Sequence, residues 1–337
     1  DIQISKDSNK VQKLINLFKG KPNPLIDSTN IVISRYMKSI SSYEGKLINN
    51  INIEQRHFGY DVNRPLVERK NKFSQLANRL HDKTNATTIR RNLFIKENDT
   101  LNPLIVAYNE KWLRDLGYIQ DARILAYPSK EDSNKVDLFV VTKDILPIGL
   151  LLNLKGTKAF EAKLNTENLN DYGNGFSITH NYDHSRNTVS GWGFDFTARN
   201  LLGSFLDIKT GAQSFAPNYA NGASSATDIY VMGSKPLLHP LDKWTWGFNY
   251  QKNYNKHSYP IWTDSLYKNN LQYQFSNLDI YAGYQLMRKH LYYTNNRPRY
   301  LIQVRYLDRS FEVRPLNYQS QIDKNYQSIQ AYFASFT

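Results

Sequence analysis

Trp244-Thr-Trp-Gly-Phe-Asn-Tyr-Gln251 is the stretch on which the fold turns. Trp244, Trp246, Phe248 and Tyr250 recur at every second position, and Thr245, Gly247, Asn249 and Gln251 lie between them. A period of two belongs to a strand, whose successive side chains point to opposite faces. The pattern repeats outward from this run. Trp192, Phe194 and Phe196 alternate with Gly193, Asp195 and Thr197, and Leu206 and Ile208 with Asp207 and Lys209. Leu278, Ile280, Ala282, Tyr284 and Leu286 form another such face, as do Tyr300, Ile302, Val304 and Tyr306. About ten runs of roughly ten residues fill residues 147–337, the length that a tilted strand needs to cross a bilayer. A soluble sandwich with one wet face is the rival reading. Aromatic strand ends, long polar loops and a polar second face favour a closed membrane barrel, because strands in lipid leave no backbone group unpaired. The last run, Ile329 to Thr337, reads as mid-barrel, so the sequence is expected to be an incomplete barrel.

Composition agrees. The 337 residues include 24 Tyr, 16 Phe and 5 Trp, and aromatic residues gather at membrane interfaces and in barrel girdles. Mean hydropathy is −0.60, and no apolar stretch of about 20 residues occurs, which excludes a polytopic helical membrane protein. The net charge of +13 is spread evenly over both halves of the chain. A diffuse excess suits an anionic surface and argues against a nucleic-acid groove. With no cysteine, disulfides, thiolate catalysis and zinc–sulfur sites are all excluded.

Residues 1–146 read differently. Residues 1–46 form a polar segment, with a short helix expected around Ser8 to Lys19 (Val11, Leu14, Ile15 and Phe18). Residues 47–146 read as an α+β unit in the order strand, helix, helix, strand, strand. The first strand, around Ile48 to Gln55, is rich in β-branched residues but poorly alternating. The first helix draws on Leu76, Leu80, Ile89, Leu93 and Phe94, with Thr84 or Asn85 as cap. Asn102-Pro103 starts the second, with Asn at the cap and Pro at the first helical position. Leu104, Ile105, Tyr108, Trp112, Leu113 and Leu116 follow the helical period, and Gly117 is expected to end it in the left-handed conformation. Strands from Ile119 to Tyr127 and from Lys135 to Ile145 close the unit around a hairpin loop.

Two motifs carry a family resemblance. One runs from Ile89 to Pro103 and continues from Tyr108 to Ile124, with Arg90, Arg91, Asp99, Asn102, Pro103, Leu113, Arg114, Leu116, Gly117, Tyr118 and Asp121 at its marked positions. The other is Trp192 to Gly203, ending in Asn200-Leu201-Leu202-Gly203. Together they resemble the membrane-proximal POTRA domain and an early barrel strand of the BamA/TamA superfamily of outer-membrane insertases and two-partner secretion transporters, in a version like that of the Bacteroidota. Asn98 stands where the family has Gly, a substitution that positive φ tolerates. The family's Arg-Gly loop motif has no counterpart, since no Arg-Gly dipeptide occurs.

The resemblance implies an outer-membrane barrel at 147–337 with the POTRA unit at 47–146 in the periplasm. It implies protein assembly, insertion or translocation, with unfolded outer-membrane or secreted proteins as clients and accessory lipoproteins as partners. A two-partner secretion pore, or a passive porin or structural barrel, remains an alternative. No catalysis, cofactor, metal or nucleic acid is expected. His180 and His184 share a strand face, but polar barrel histidines are commoner than a metal pair, and Asp195 and Asp207 read as solvated lumen charges. Client capture is expected at two places. One is the POTRA sheet edge, by β-augmentation. The other is the first barrel strand, Ile148, Gly149, Leu150, Leu151, Leu152 and Asn153, where Pro147 and Gly149 predict weak pairing and a lateral gate. The same Pro and Gly also fit a plain joint between the two parts.

Overall fold

The computed structural model describes residues 37, 40–56, 60–61, 64–68, 83–146, 148–184, 189–214, 223–258, 271–286, 300–316, 318–321 and 324–336. The expected helix at Ser8–Lys19, and Leu76, Leu80, His57, His81 and Pro147, lie outside these residues.

The α+β unit has the expected strand, helix, helix, strand, strand order with one departure, a hairpin after the first strand that the sequence pattern does not predict. Strand β1 (Leu47–Arg56) is followed by a small hairpin, β2 (Tyr60–Asp61) and β3 (Arg64–Glu68). Helices α1 (Ala86–Arg91) and α2 (Pro103–Asp115) come next, then β4 (Ile119–Pro128) and β5 (Lys135–Asp144). The sheet order is β1-β5-β4, with β1 parallel and β4 antiparallel to β5. The poor alternation of β1 has a physical cause. Asn49 is bulged out of the ladder, because Ile48 pairs with Val136 and Asn50 with Asp137. The extra residue lets Ile48 and Ile51 both enter the core. Asn49 meanwhile donates to Asp137 Oδ1 at 3.0 Å and to Ser129 Oγ at 3.2 Å.

Asn102 caps α2 as expected, its Oδ1 accepting from the Leu104 and Ile105 amides at 3.0 and 3.4 Å. Other expectations are corrected. Among the described residues α1 spans six residues from an Asn85 cap, so Leu93 and Phe94 follow the helix and are not part of it. Leu93, Ile95 and Leu101 are buried from an irregular segment that turns at Asn98, φ +69°. Asn is one of the few residues that enters this region at low cost. Gly117 is not left-handed: α2 ends at an extended Leu116, φ −68° and ψ 129°. The unit also begins earlier than residue 47. Ile40 lies in the core cluster, and the Gly45 amide bonds to Leu101 O at 3.1 Å.

The remaining strands form one antiparallel sheet of ten: β6 (Ile148–Leu154), β7 (Ala159–Leu169), β8 (Asn174–Asp183), β9 (Ser190–Ala198), β10 (Asp207–Gln213), β11 (Ala223–Lys235), β12 (Trp244–Ser258), β13 (Leu271–Leu286), β14 (Tyr300–Val313) and β15 (Ile329–Phe336). Their order in space is their order in sequence, with β6 and β15 at the two edges. The expected weakness of β6 is not found on its paired side: all seven residues from Ile148 to Leu154 pair with β7. Gly149 is also closely packed, since a Cβ there would lie 2.6 Å from Asn165 Oδ1.

The polarity of this sheet is inverted. Leu150, Leu164, Ile178, Phe194, Ala212 and Ile229 are ladder partners in sequence across six strands, and Leu150, Leu164, Phe194 and Ile229 are exposed. The row behind them runs Gly149, Asn165, Ser177, Asp195, Gly211, Tyr230, Gln251, Asn277 and Arg309. Its polar members pair among themselves, as Ser177 does with Asp195 at 2.9 Å. Ser177, Asn181, Asn253 and Gln285 are buried, whereas Tyr273 and Phe311 are the two buried hydrophobics that this sheet contributes among the described residues. In water each large apolar side chain left exposed forgoes about 1.5–3 kcal/mol of burial. A sheet with its apolar face outward therefore belongs in an apolar medium.

Aromatic pairs bound that face at both ends. Trp244 with Tyr284 (4.6 Å between centroids) and Tyr300 with Phe336 (5.4 Å) lie at the end nearer the α+β unit. Phe160 with Tyr182 (5.3 Å) and His180 with Trp192 (4.4 Å) lie at the far end.

Candidate functional site

Three connections at one end of the sheet close onto the α+β unit, and here the two sequence motifs meet. Asn200 sits between β9 and β10 at φ +46°. Its Nδ2 donates to Arg91 O at 2.8 Å and to Asn92 Oδ1 at 3.1 Å, and its Oδ1 accepts from the Phe205 amide at 2.7 Å. Asn92 is buried and fully used. It donates to Thr88 O (2.9 Å) and Tyr118 Oη (3.3 Å), and its Oδ1 also accepts from Trp112 Nε1 (3.3 Å). Buried Asn109 completes the network, donating to Asn92 O at 3.0 Å and accepting from the Phe94 amide at 2.8 Å. A buried polar network in which every member is satisfied fixes one geometry.

The β7–β8 connection binds the same unit from beside it. Asn168 Nδ2 donates to Thr84 Oγ1 at 2.9 Å, and Thr84 donates through its amide and its hydroxyl to Asp144 Oδ2 at 2.7 and 2.9 Å. The Asn85 amide bonds to Asp171 O at 3.0 Å. Arg199 gathers this end of the sheet, donating to Glu167 O (3.0 Å) and Gly173 O (2.9 Å) and pairing with the Glu167 carboxylate. In the third connection, between β11 and β12, His239 packs on Phe94 at 4.9 Å, and Phe94 on Phe205 at 5.3 Å. Burial lowers the His239 pKa against the pull of Asp242, whose Oδ1 is 3.2 Å away.

The marked motif residues are thus structural in position. Arg90 clips the outer edge of β1, bonding Glu97 at 3.0 Å and Ile51 O at 2.8 Å. Asp99 accepts from the Lys96 amide at 2.7 Å, and Leu113 and Leu116 are core. Pro103 is the first residue of α2, and a Cβ at Gly117 would lie 3.4 Å from Glu167 Oε2. Arg114 bonds Glu110 and Ala122 O, and Asp121 Oδ1 accepts from the Ala122 amide at 2.9 Å. Tyr118 is buried, and burial pushes its hydroxyl pKa up. Leu201 and Leu202 are exposed, and Gly203 lies against Arg91 at φ +78°. Sequence reasoning offered Thr84 only as a candidate helix cap and missed Asn92, Asn109, Asn168 and Arg199. Their signal was the density of Asn around the two turns, which a strand pattern does not require.

Gly173 holds the joint closed. A Cβ there would lie 2.7 Å from the Tyr118 ring, and its φ is +74°. Gly173→Ala is expected to destabilise by about 2–4 kcal/mol, combining left-handed strain with overpacking. Gly156→Ala, at φ +88° with nothing within 4 Å, supplies the strain alone and should lose about 1–2 kcal/mol. Denaturation midpoints of the two variants check this.

The two proposed capture edges differ. The edge of β1 is covered: Asn98 and Asp99 bond Ile48, and Arg90 and Glu97 bond Ile51. On the edge of β4, the Ile124 amide bonds Glu110 at 2.9 Å and Arg114 bonds Ala122 O at 3.1 Å. Strand β6, by contrast, pairs on one side among the described residues, and Ile148, Leu150, Leu151, Leu152 and Leu154 are all exposed. His180 bonds Ser190 Oγ at 2.7 Å, and Asp207 bonds the Asn200 amide at 2.8 Å while Asp195 pairs with Lys209 at 3.4 Å. Asp195 and Asp207 therefore serve separate partners. Among the described residues no group of three metal-ligating side chains occurs, and no helix is long and apolar enough to cross a membrane.

No family model and no curated protein matches the sequence. Solved structures similar to the chain include BamA from Haemophilus ducreyi lacking POTRA domains 1-3, at 9% identity and a TM-score of 0.39 over 78% of this chain and 55% of that one. CdiB from Acinetobacter baumannii is similar at 9% identity and a TM-score of 0.40, over 91% and 69%. POTRA1-3 of the periplasmic domain of Omp85 from Anabaena matches at 20% identity and a TM-score of 0.21, over 30% and 35%. The chain spans about half the length of the BamA structure.

Proposed function

We propose that the chain carries a POTRA unit and ten strands of an outer-membrane β-barrel, and that it inserts or translocates other polypeptides. One observation carries the membrane reading: a continuous exposed apolar face, bounded by aromatic pairs at both ends, backed by a face whose buried residues are polar apart from Tyr273 and Phe311. The joint supports the rest. It holds the POTRA unit rigidly beneath the turns of the barrel, where a client would arrive from the periplasm. With the edges of β1 and β4 largely occupied, the open edge of β6 is the better place for an extended client to pair. Main-chain pairing there is independent of client sequence. It needs no cofactor or nucleotide, because the folding of the client supplies the driving energy.

A photoreactive residue at Leu151 tests this in the native host, with one at Ile280, mid-sheet on the apolar face, as control. Adducts with many outer-membrane proteins at Leu151, and few at Ile280, are the expected result. Adducts with one exported protein would instead mean a dedicated secretion pore. Equal or absent client adducts would leave a passive barrel.

A further inference from the structure

The joint encloses a recess of about 740 Å³ between the segment after α1 and the β9–β10 and β11–β12 connections. Its apolar walls include Phe94, Phe205 and Leu238, and its lining carries Arg90, Arg91, Lys96 and Lys235 with Glu97 and Asp242. The carboxylates are already matched. Glu97 takes Arg90 and the Ile51 amide, and Asp242 takes His239 and the Leu238 and His239 amides. Arg91, Lys96 and Lys235 have no carboxylate partner among the described residues. Beside them Leu202 adopts φ +54° and leaves 85% of its surface exposed. Left-handed leucine is strained by about 1–2 kcal/mol, and this side chain stays uncovered among the described residues.

We propose that this recess binds an anionic phospholipid of the periplasmic leaflet, the cations taking the headgroup phosphate and Leu202 entering the acyl region. The inference rests on the membrane reading, because the recess lies at the turn end of the sheet, where the apolar face stops. Three unmatched cations above apolar walls complement a molecule that is anionic at one end and apolar at the other. A basic side chain at an anionic membrane surface is worth a factor of about five in affinity. Bound lipid would stiffen the joint from outside, at the height where the network of Asn92 and Asn200 stiffens it from within.

The test uses the full chain inserted in phosphatidylcholine vesicles with a minor fraction of spin-labelled phosphatidylglycerol or spin-labelled phosphatidylcholine. The fraction of immobilised label reads the association. Roughly threefold or greater preference for phosphatidylglycerol is expected. The combined R91Q, K96Q and K235Q variant should reduce it to near parity, and L202S should weaken both labels. The same three changes at exposed Lys130, Lys158 and Lys256 should leave it intact. An unchanged preference in the first variant, or no preference at all, overturns the proposal. Displacement by inorganic phosphate would mean a free-anion site and overturns it too. Failure of the chain to resist carbonate extraction is read separately, and it would remove the membrane reading together with the lipid site.

Discussion

Replacing Glu110 by alanine lowers the stability of the α+β unit by about 3–5 kcal/mol, the usual loss when one partner of a buried ion pair is removed. The Glu110 side chain is 1% exposed, and its two oxygens are both committed. Oε1 accepts from Arg114 Nη1 at 2.8 Å, and Oε2 from the Ile124 amide at 2.9 Å. Alanine leaves the Ile124 amide without its acceptor and takes from Arg114 the nearer of its two carboxylates, Asp121 Oδ1 remaining at 4.0 Å. It also uncovers the β4 edge that the pair shields. Hydrogen exchange in residues 119–128 of the full chain should quicken by two or more orders of magnitude, on the order of the population change that such a loss implies. Glu110→Gln keeps an acceptor of the same shape and should lose clearly less. Equal exchange in E110A and wild type would show that the pair contributes nothing.

The same residue sets a pH dependence. Burial pushes the Glu110 carboxyl above its ordinary range, although the Ile124 amide and Arg114 pull the other way. A carboxyl raised on folding binds its proton more tightly in the folded state. Its contribution is therefore largest below the unfolded value and declines as pH rises through the folded one. Glu97 behaves oppositely. The hydrogen bond from Arg90 lowers its pKa, so its contribution is present above the unfolded value and lost as pH falls through the folded one. Mild acid should thus loosen the Arg90–Glu97 clip over β1 and leave the Glu110 contribution at β4 undiminished, and exchange rates of the two strands against pH report the difference.

Local rules made part of this structure readable. Asn102-Pro103 announces a helix start because the cap and the fixed φ act within one turn of chain. Trp244 to Tyr250 announces a strand because adjacent residues settle the alternation. Asn98 sits in the conformation expected of it. The errors fall where the decisive partner is remote. Gly117 looked like a left-handed cap, but its small size answers to Glu167, fifty residues on. Gly149 looked like a weak point, but it accommodates Asn165. The bulge at Asn49 erased the alternation of β1, since one extra residue reverses every later side chain. The motifs were legible as a resemblance, but that they touch each other was not. Asn200 and Asn92 are 108 positions apart, and no periodicity links them.

Asn200→Ala should uncouple the α+β unit from the sheet without unfolding either. Two donor bonds into the unit and one acceptor bond inside the turn are lost together. Leaving buried groups unmatched costs about 1–3 kcal/mol each, and alanine at positive φ adds about 1. The loss is expected to be about 3 kcal/mol at the joint, because Asn92 Oδ1 keeps Trp112 as a donor. Spin labels at Ser133 in the unit and Gln251 on the polar face of the sheet should then report a broadened distance distribution, while each part keeps its own unfolding transition. Two further substitutions separate the causes. Asn200→Gly accepts positive φ freely but makes no side-chain bond, so it should broaden the distribution nearly as much. Asn200→Asp also tolerates positive φ and keeps the Phe205 acceptor, but it turns a donor into an acceptor facing Arg91 O and Asn92 Oδ1. It should do as much damage as alanine. If aspartate holds the distribution narrow, backbone conformation alone sets the joint. If glycine holds it narrow, the side chain of Asn200 has no part in positioning the unit against the sheet.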